Sequence, residues 1–149
     1  MKILVDADAC PNAIKEIIFR ASKRLKIAVI LFANHPIAVP KIPLIKFVQV
    51  PKGFDEADRE IEKMVEQQDL VITADIPLAN AVIDKHATAL NPRGTLYTKE
   101  NIKEKLQMRN FMDELRSTGQ NIGGPSPLDK TSIQNFANAL DRVLNKKIS

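Results

Sequence analysis

Three apolar runs constrain what this chain can fold into more than anything else in it. They are KILV at 2–5, IAVILFA at 27–33 and LVITA at 70–74. Each is short and unbroken, as expected of strands covered on both faces in a mostly parallel sheet. Between the first two, Ile14, Ile17, Ile18, Ala21 and Leu25 recur at helical spacing, which predicts an amphipathic helix over 11–25. Pro11 sits at its first turn, where a missing N–H does no harm. Strand, helix, strand is a βαβ unit, and it implies a parallel pair.

The rest of the chain continues the alternation. Pro36, Pro40 and Pro43 mark 35–43 as a connection, and LIKFVQV (44–50) alternates like a strand. Ala57, Ile61, Met64 and Val65 predict a helix over 54–67, and Pro77 opens another that runs to about Lys85. ATAL and TLYT read as short strands. A helix over 100–117 places Ile102, Leu106, Met108, Phe111, Met112 and Leu115 largely on one side, and a closing helix spans 131–146. Between them, 117–130 is a Gly/Pro-rich loop. The expected fold is one domain over 1–149, a three-layer α/β/α sandwich with a mainly parallel central sheet. Residues 99–149 form a helical C-terminal part packed on it.

Composition narrows the function classes. A chain of 149 residues with 44% hydrophobic and 27% charged residues has ordinary globular composition. No segment has the apolar length of a membrane span, and the N-terminus lacks a signal-peptide pattern. The single cysteine, Cys10, excludes an internal disulfide and fits a reducing cytoplasm. With only His35 and His86 beside it, no zinc ligand set can be assembled. A net charge of +4 is permissive for an anionic partner.

The first strand ends in carboxylates. Asp6 and Asp8, two apart, would point the same way in an extended segment and repel each other unless a cation lies between them. Asp75 ends the LVITA strand, and Asp55 and Asp58 start a helix just after a third strand. In parallel sheets ligands gather at the carboxyl ends of strands, so these acids should meet at one edge. Oxygen ligands without His or Cys suit Mg²⁺ or Mn²⁺ and metal-assisted hydrolysis of a phosphate ester. Thr73 would point toward the same place. Singly, Asp8, Asp55 and Asp75 also fit helix caps. Cys10 reads as a small buried residue, both histidines as surface groups, and IGGP (122–125) as a mobile loop. Lys105, Arg109 and Arg116 share a helix face. The aromatics, Phe54 and Phe111 among them, mostly occupy core-like positions, which leaves no base-stacking platform.

ILVDADACP, KGFDEADREI, DLVITADIPLA, LNPRG and the C-terminal RNFMDELRSTG…GGPSP…D occur in order across almost the whole chain. Together they resemble the YaiI/YqxD family of uncharacterised bacterial proteins, which is regarded as similar to PIN-like domains. The resemblance implies a PIN-like sandwich and a Mg²⁺- or Mn²⁺-dependent ribonuclease. Asp6 matches the acid ending the first PIN strand, Asp75 the acid after the later strand, and Thr73 the accompanying Thr. Asp58, or Asp55, would be the intermediate acid. Asp8 departs from the pattern by adding a carboxylate, and Asp84 lies too far along its helix to serve as a fourth acid.

The leading expectation is a nuclease acting on RNA, with a metal held by Asp6, Asp8, Asp58 and Asp75 and a metal-activated water as the nucleophile. Lys52, Arg93, Arg109 and Arg116 are its candidate phosphate contacts. A haloacid-dehalogenase-type phosphatase, with Asp6 as nucleophile and Asp8 as acid/base, is the alternative. Against it, the second strand ends in Ala33-Asn34 where that chemistry wants Ser or Thr. A non-catalytic nucleic-acid-binding protein is the third class.

Overall fold

A computed structural model describes residues 1–53, 55–119 and 127–148. Phe54 and the IGGP stretch lie outside the described residues, as do residues 120–126 of the 117–130 loop. The chain runs β1 (Lys2–Asp6), α1 (Asn12–Leu25), β2 (Ala28–Ala33), β3 (Ile45–Gln49), α2 (Glu56–Met64) and β4 (Leu70–Ile72). It continues through α3 (Ile76–Asp84), β5 (Thr88–Leu90), β6 (Leu96–Tyr97), α4 (Lys99–Ser117) and α5 (Lys130–Ile148). The strands form one sheet in the order β3-β2-β1-β4-β5-β6. All neighbours are parallel except β6, which turns back antiparallel on β5. The fold is α/β, a three-layer sandwich around a mostly parallel sheet.

Side-chain alternation sends the strands' apolar residues to two cores. Ile3, Val5, Val29, Leu31, Leu70, Ile72 and Leu90 face α1 and α5, packing with Ile14, Ile18, Phe136 and Leu140. Leu4, Phe32, Val71 and Ala89 face the other way, toward Ile61 of α2, Leu78 and Val82 of α3 and Ile102 of α4. This two-residue period decides where the site lies. Asp6 has the parity of Leu4, and Thr73 that of Val71, so both belong on the α2/α3 side.

Several expected elements are shorter than the sequence pattern suggests. Helix α2 spans Glu56–Met64 rather than 54–67, because Val65 already takes an extended backbone (φ −64°, ψ 134°). Strand β4 stops at Ile72, although the Thr73 N–H still reaches the Leu90 carbonyl at 3.1 Å. Helix α4 differs in its packing. Only Ile102 is buried, while Met108 and Phe111 are 58% and 53% exposed. Phe111 is therefore not a core residue.

The NPRG turn between β5 and β6 needs its glycine. Gly94 has φ +97°, and a Cβ there would lie 2.7 Å from the Asn135 carbonyl carbon, so the turn docks against the backbone of α5. At the opposite edge of the sheet, the buried Asp69 accepts hydrogen bonds from the Lys2 N–H (3.1 Å), the Lys2 ammonium (2.7 Å) and the Glu66 N–H (2.8 Å). No helix among the described residues is long and apolar enough to cross a membrane.

A candidate metal centre at the carboxyl edge

The chain passes from β1 to β2 and β3 on one side, then crosses back to β4 on the other side of β1. That reversal opens a crevice beyond the carboxyl ends of β1 and β4, the usual place for a ligand in such sheets. Val5 pairs with Ile72, so the next step brings Asp6 beside Thr73. The Thr73 hydroxyl donates to Asp6 Oδ2 at 3.1 Å and accepts the Asp75 N–H at 3.0 Å. Thr73 is fully buried and ties the two strand ends together.

Asp75 is the N-cap of α3, its Oδ1 accepting the Leu78 N–H at 2.9 Å, with Pro77 in the first turn. The capping expectation and the site expectation therefore both apply to it, one through each face of the carboxylate. Asp58 rises from the first turn of α2 to within hydrogen-bonding reach of Asp75. Asp55 occupies the N-cap position of α2 with a left-handed backbone (φ 62°, ψ 18°), yet its side chain makes no capping hydrogen bond. Its carboxylate belongs to the cluster instead. Asp55, Asp58 and Asp75 each offer an oxygen within 4.8 Å of the others.

Crowding shows in the titration of these groups. Burial, then the charges of Asp75 and Asp6, raises Asp58 to about 7. Burial likewise raises Asp6 to about 6, with Asp75 and Asp8 adding to the effect and the Thr73 hydrogen bond opposing it. The ionised forms of Asp6 and Asp58 are disfavoured, and a proton or a cation at the cluster would relieve that. Three hard oxygen donors without nitrogen or sulfur fit Mg²⁺ or Mn²⁺.

Asp8 is not among these three. The chain enters a 3-10 turn at Ala7–Ala9 directly after Asp6, and the charge of Asp8 still acts on Asp6. Nor does Asp8 cap α1, whose N-cap is Pro11. Its oxygens accept the Asn34 N–H (3.0 and 3.3 Å), and Oδ1 lies 2.9 Å from His35 Nδ1. Asp6, Asp8, Asn34, Asp58 and Asp75 line one cavity of about 190 Å³. A neighbouring one of about 240 Å³ is lined by Asp55, Asp58, Arg59, Glu62, Asp75 and Arg109, among others.

Of the expected phosphate contacts, Arg109 reaches that second cavity, from α4. Lys52 is exposed between two residues lining the first. Arg116 pairs with Asp113 at 3.4 Å on the same helix. Arg93 lies in the turn against α5, where its charge acts on Asp129. Arg59 and Glu62 were not foreseen, although Asp55, Asp58, Arg59 and Glu62 follow an i, i+3, i+4, i+7 pattern that announces one helix face. Burial pushes the Cys10 thiol up to about 12, which leaves it inert as a nucleophile.

Fold and site together define a mostly parallel α/β protein with a carboxylate crevice where its strand order reverses. The chain belongs to the YaiI/YqxD family: the family model described as "Uncharacterized BCR, YaiI/YqxD family" matches residues 4–146. It is 59% identical to the UPF0178 protein of Colwellia psychrerythraea over 146 residues, covering 98% of this chain and 97% of the relative. To that of Hydrogenovibrio crunogenus it is 57% identical over 98% and 97%. To that of Halorhodospira halophila it is 56% identical over 100% and 99%. No solved structure matches the chain.

Proposed function

We propose that this protein is a Mg²⁺- or Mn²⁺-dependent nuclease, with RNA as its substrate, acting at the crevice between β1 and β4. The observation that carries the reading is the convergence of Asp55, Asp58 and Asp75, each offering an oxygen within 4.8 Å of the others, from the start of α2 and the start of α3. These three would hold the metal, and Arg109 on the cavity wall would take a phosphate oxygen. A bound divalent ion there supplies charge stabilisation at the phosphoryl oxygens and lowers the pKa of a water.

The chain's own groups have distinct parts. Asp75 is fixed by its cap, so one oxygen is committed to the Leu78 N–H and the other is left for the site. Thr73 locks Asp75 to Asp6, and Asp6 stands behind the cluster as a buried carboxyl able to hold a proton. The phosphatase alternative finds less support. Its nucleophile would be Asp6, which is only 8% exposed, and its acid/base would be Asp8, which is engaged by Asn34 and His35.

Mn²⁺ titration by calorimetry tests the site. Binding should be present in the wild type and lost in both Asp58→Asn and Asp75→Asn, followed by metal-dependent cleavage of a labelled oligoribonucleotide. Binding that survives both substitutions would overturn the metal centre. Binding without cleavage of RNA would leave the centre and remove the nuclease assignment.

A further inference from the structure

A larger cavity, about 450 Å³, lies on the other side of the β2 strand end. It is lined by Asn12, Lys15, Glu16 and Phe19 of α1, and by His35 and Ile37 of the connection that leaves β2. Its volume falls within the range of small-molecule sites. The lining is mixed: Phe19 and Ile37 are apolar, and Lys15, His35, Asn12 and Glu16 are polar or charged. Lys15 is half-buried and makes no ion pair or side-chain hydrogen bond among the described residues, unlike the paired lysines Lys2 and Lys63.

The two sites share a wall. Asp8 and Asn34 line the acidic cavity, His35 lines the larger one, and His35 Nδ1 stands 2.9 Å from Asp8 Oδ1 across the boundary. The cavity that Asp8 and Asn34 line has carboxylates but, among the described residues, no Lys or Arg in its wall, so an anionic group of a ligand reaching this way finds its cations beyond it. Lys15 and His35 are placed to receive it.

We infer that this cavity binds a nucleoside monophosphate unit, its phosphate on Lys15 and His35 and its base against Phe19 and Ile37. Asn12 and Glu16 offer the donor and acceptor groups that ribose hydroxyls need. The unit is either a free nucleotide or one residue of a strand whose next phosphodiester lies in the acidic crevice. The latter case rests on the nuclease reading; the pocket itself does not.

Calorimetric titration of AMP into the full-length protein in EDTA tests the pocket without the metal site. AMP should bind with Kd below about 1 mM. Lys15→Glu should weaken binding about tenfold or more, since a charge-assisted contact becomes a repulsion. Ala38→Trp, which adds bulk at another residue lining the cavity, should abolish it, and Asp75→Asn should leave it unchanged. No binding by the wild type, or binding lost in Asp75→Asn but kept in Lys15→Glu, would overturn the inference. Tetra-adenylate that displaces AMP assigns the unit to a strand, and tetra-adenylate that does not assigns it to the free nucleotide. Either supports the pocket. A failed Mn²⁺ titration with intact AMP binding would sink the metal centre alone.

Discussion

Asp58 shows how a single side chain can oppose folding for the sake of a site. Its carboxyl, set against Asp75, Asp6 and Asp55, titrates near 7 instead of 3.8. The folded state therefore binds this proton more tightly than the unfolded state. Stability contributed by the proton is present below about pH 4 and is lost as pH rises toward 7. In EDTA, Asp58→Asn should raise Tm over wild type by a few degrees at pH 8, with a smaller gap at pH 5. Thermal unfolding at the two pH values reads this directly, and an equal gap at both would mean the cluster is not crowded. Asp55 sits at the start of α2 with a left-handed backbone and makes no cap hydrogen bond, its carboxylate lying with Asp58 and Asp75, while Asp8 is held by the Asn34 N–H and His35 instead of capping α1.

Among the elements, the short β5–β6 turn has the least freedom. Gly94→Ala would put a methyl group 2.7–2.8 Å from the backbone of Asn135 and Phe136, at a φ that side chains disfavour. Neither backbone can withdraw without moving α5, so we expect a loss of about 2 kcal/mol or more in urea unfolding. A loss under 0.5 kcal/mol would show that α5 is free to shift. Helix α4 behaves differently along its length. Its start is anchored by a capping box between Thr98 and Asn101 and by the buried Ile102. Its second half carries Met108 and Phe111 in solvent and Arg109 over the acidic cavity. Periodicity alone identified its apolar stripe but not which way the stripe faces. That direction depends on how the helix rests on α3.

For the whole molecule, charge is unevenly placed. The chain is +4 overall, yet the crevice at the switch in strand order is lined by Asp6, Asp8, Asp55, Asp58 and Asp75. Nucleic acid, as the proposed substrate, would be attracted at long range by the net positive charge and repelled at the crevice until a cation is bound there. Under the proposed function, anisotropy with a labelled oligoribonucleotide should show affinity rising on addition of Mn²⁺ and falling steeply with added salt. Asp75→Asn should lose the first dependence and keep the second. Affinity indifferent to both metal and salt would exclude RNA as the partner.

The layer architecture is legible in the amino-acid sequence, because continuous apolar runs alternating with helical periods favour a parallel sheet covered on both faces. The same sequence also determined which ends of which strands carry acid, and with them Asp6, Thr73 and Asp75. The register of β1 on β4 and the backbone at Asp55 decided the rest. The folded arrangement gathered Asp55 with Asp58 and Asp75, each offering an oxygen within 4.8 Å of the others. It alone brought α2 and α4 against the crevice, and with them Arg59, Glu62 and Arg109. Arg59 and Glu62 share with Asp55 and Asp58 a helix face that local pattern shows, whereas Arg109 lies far along the chain and meets them only through packing between elements.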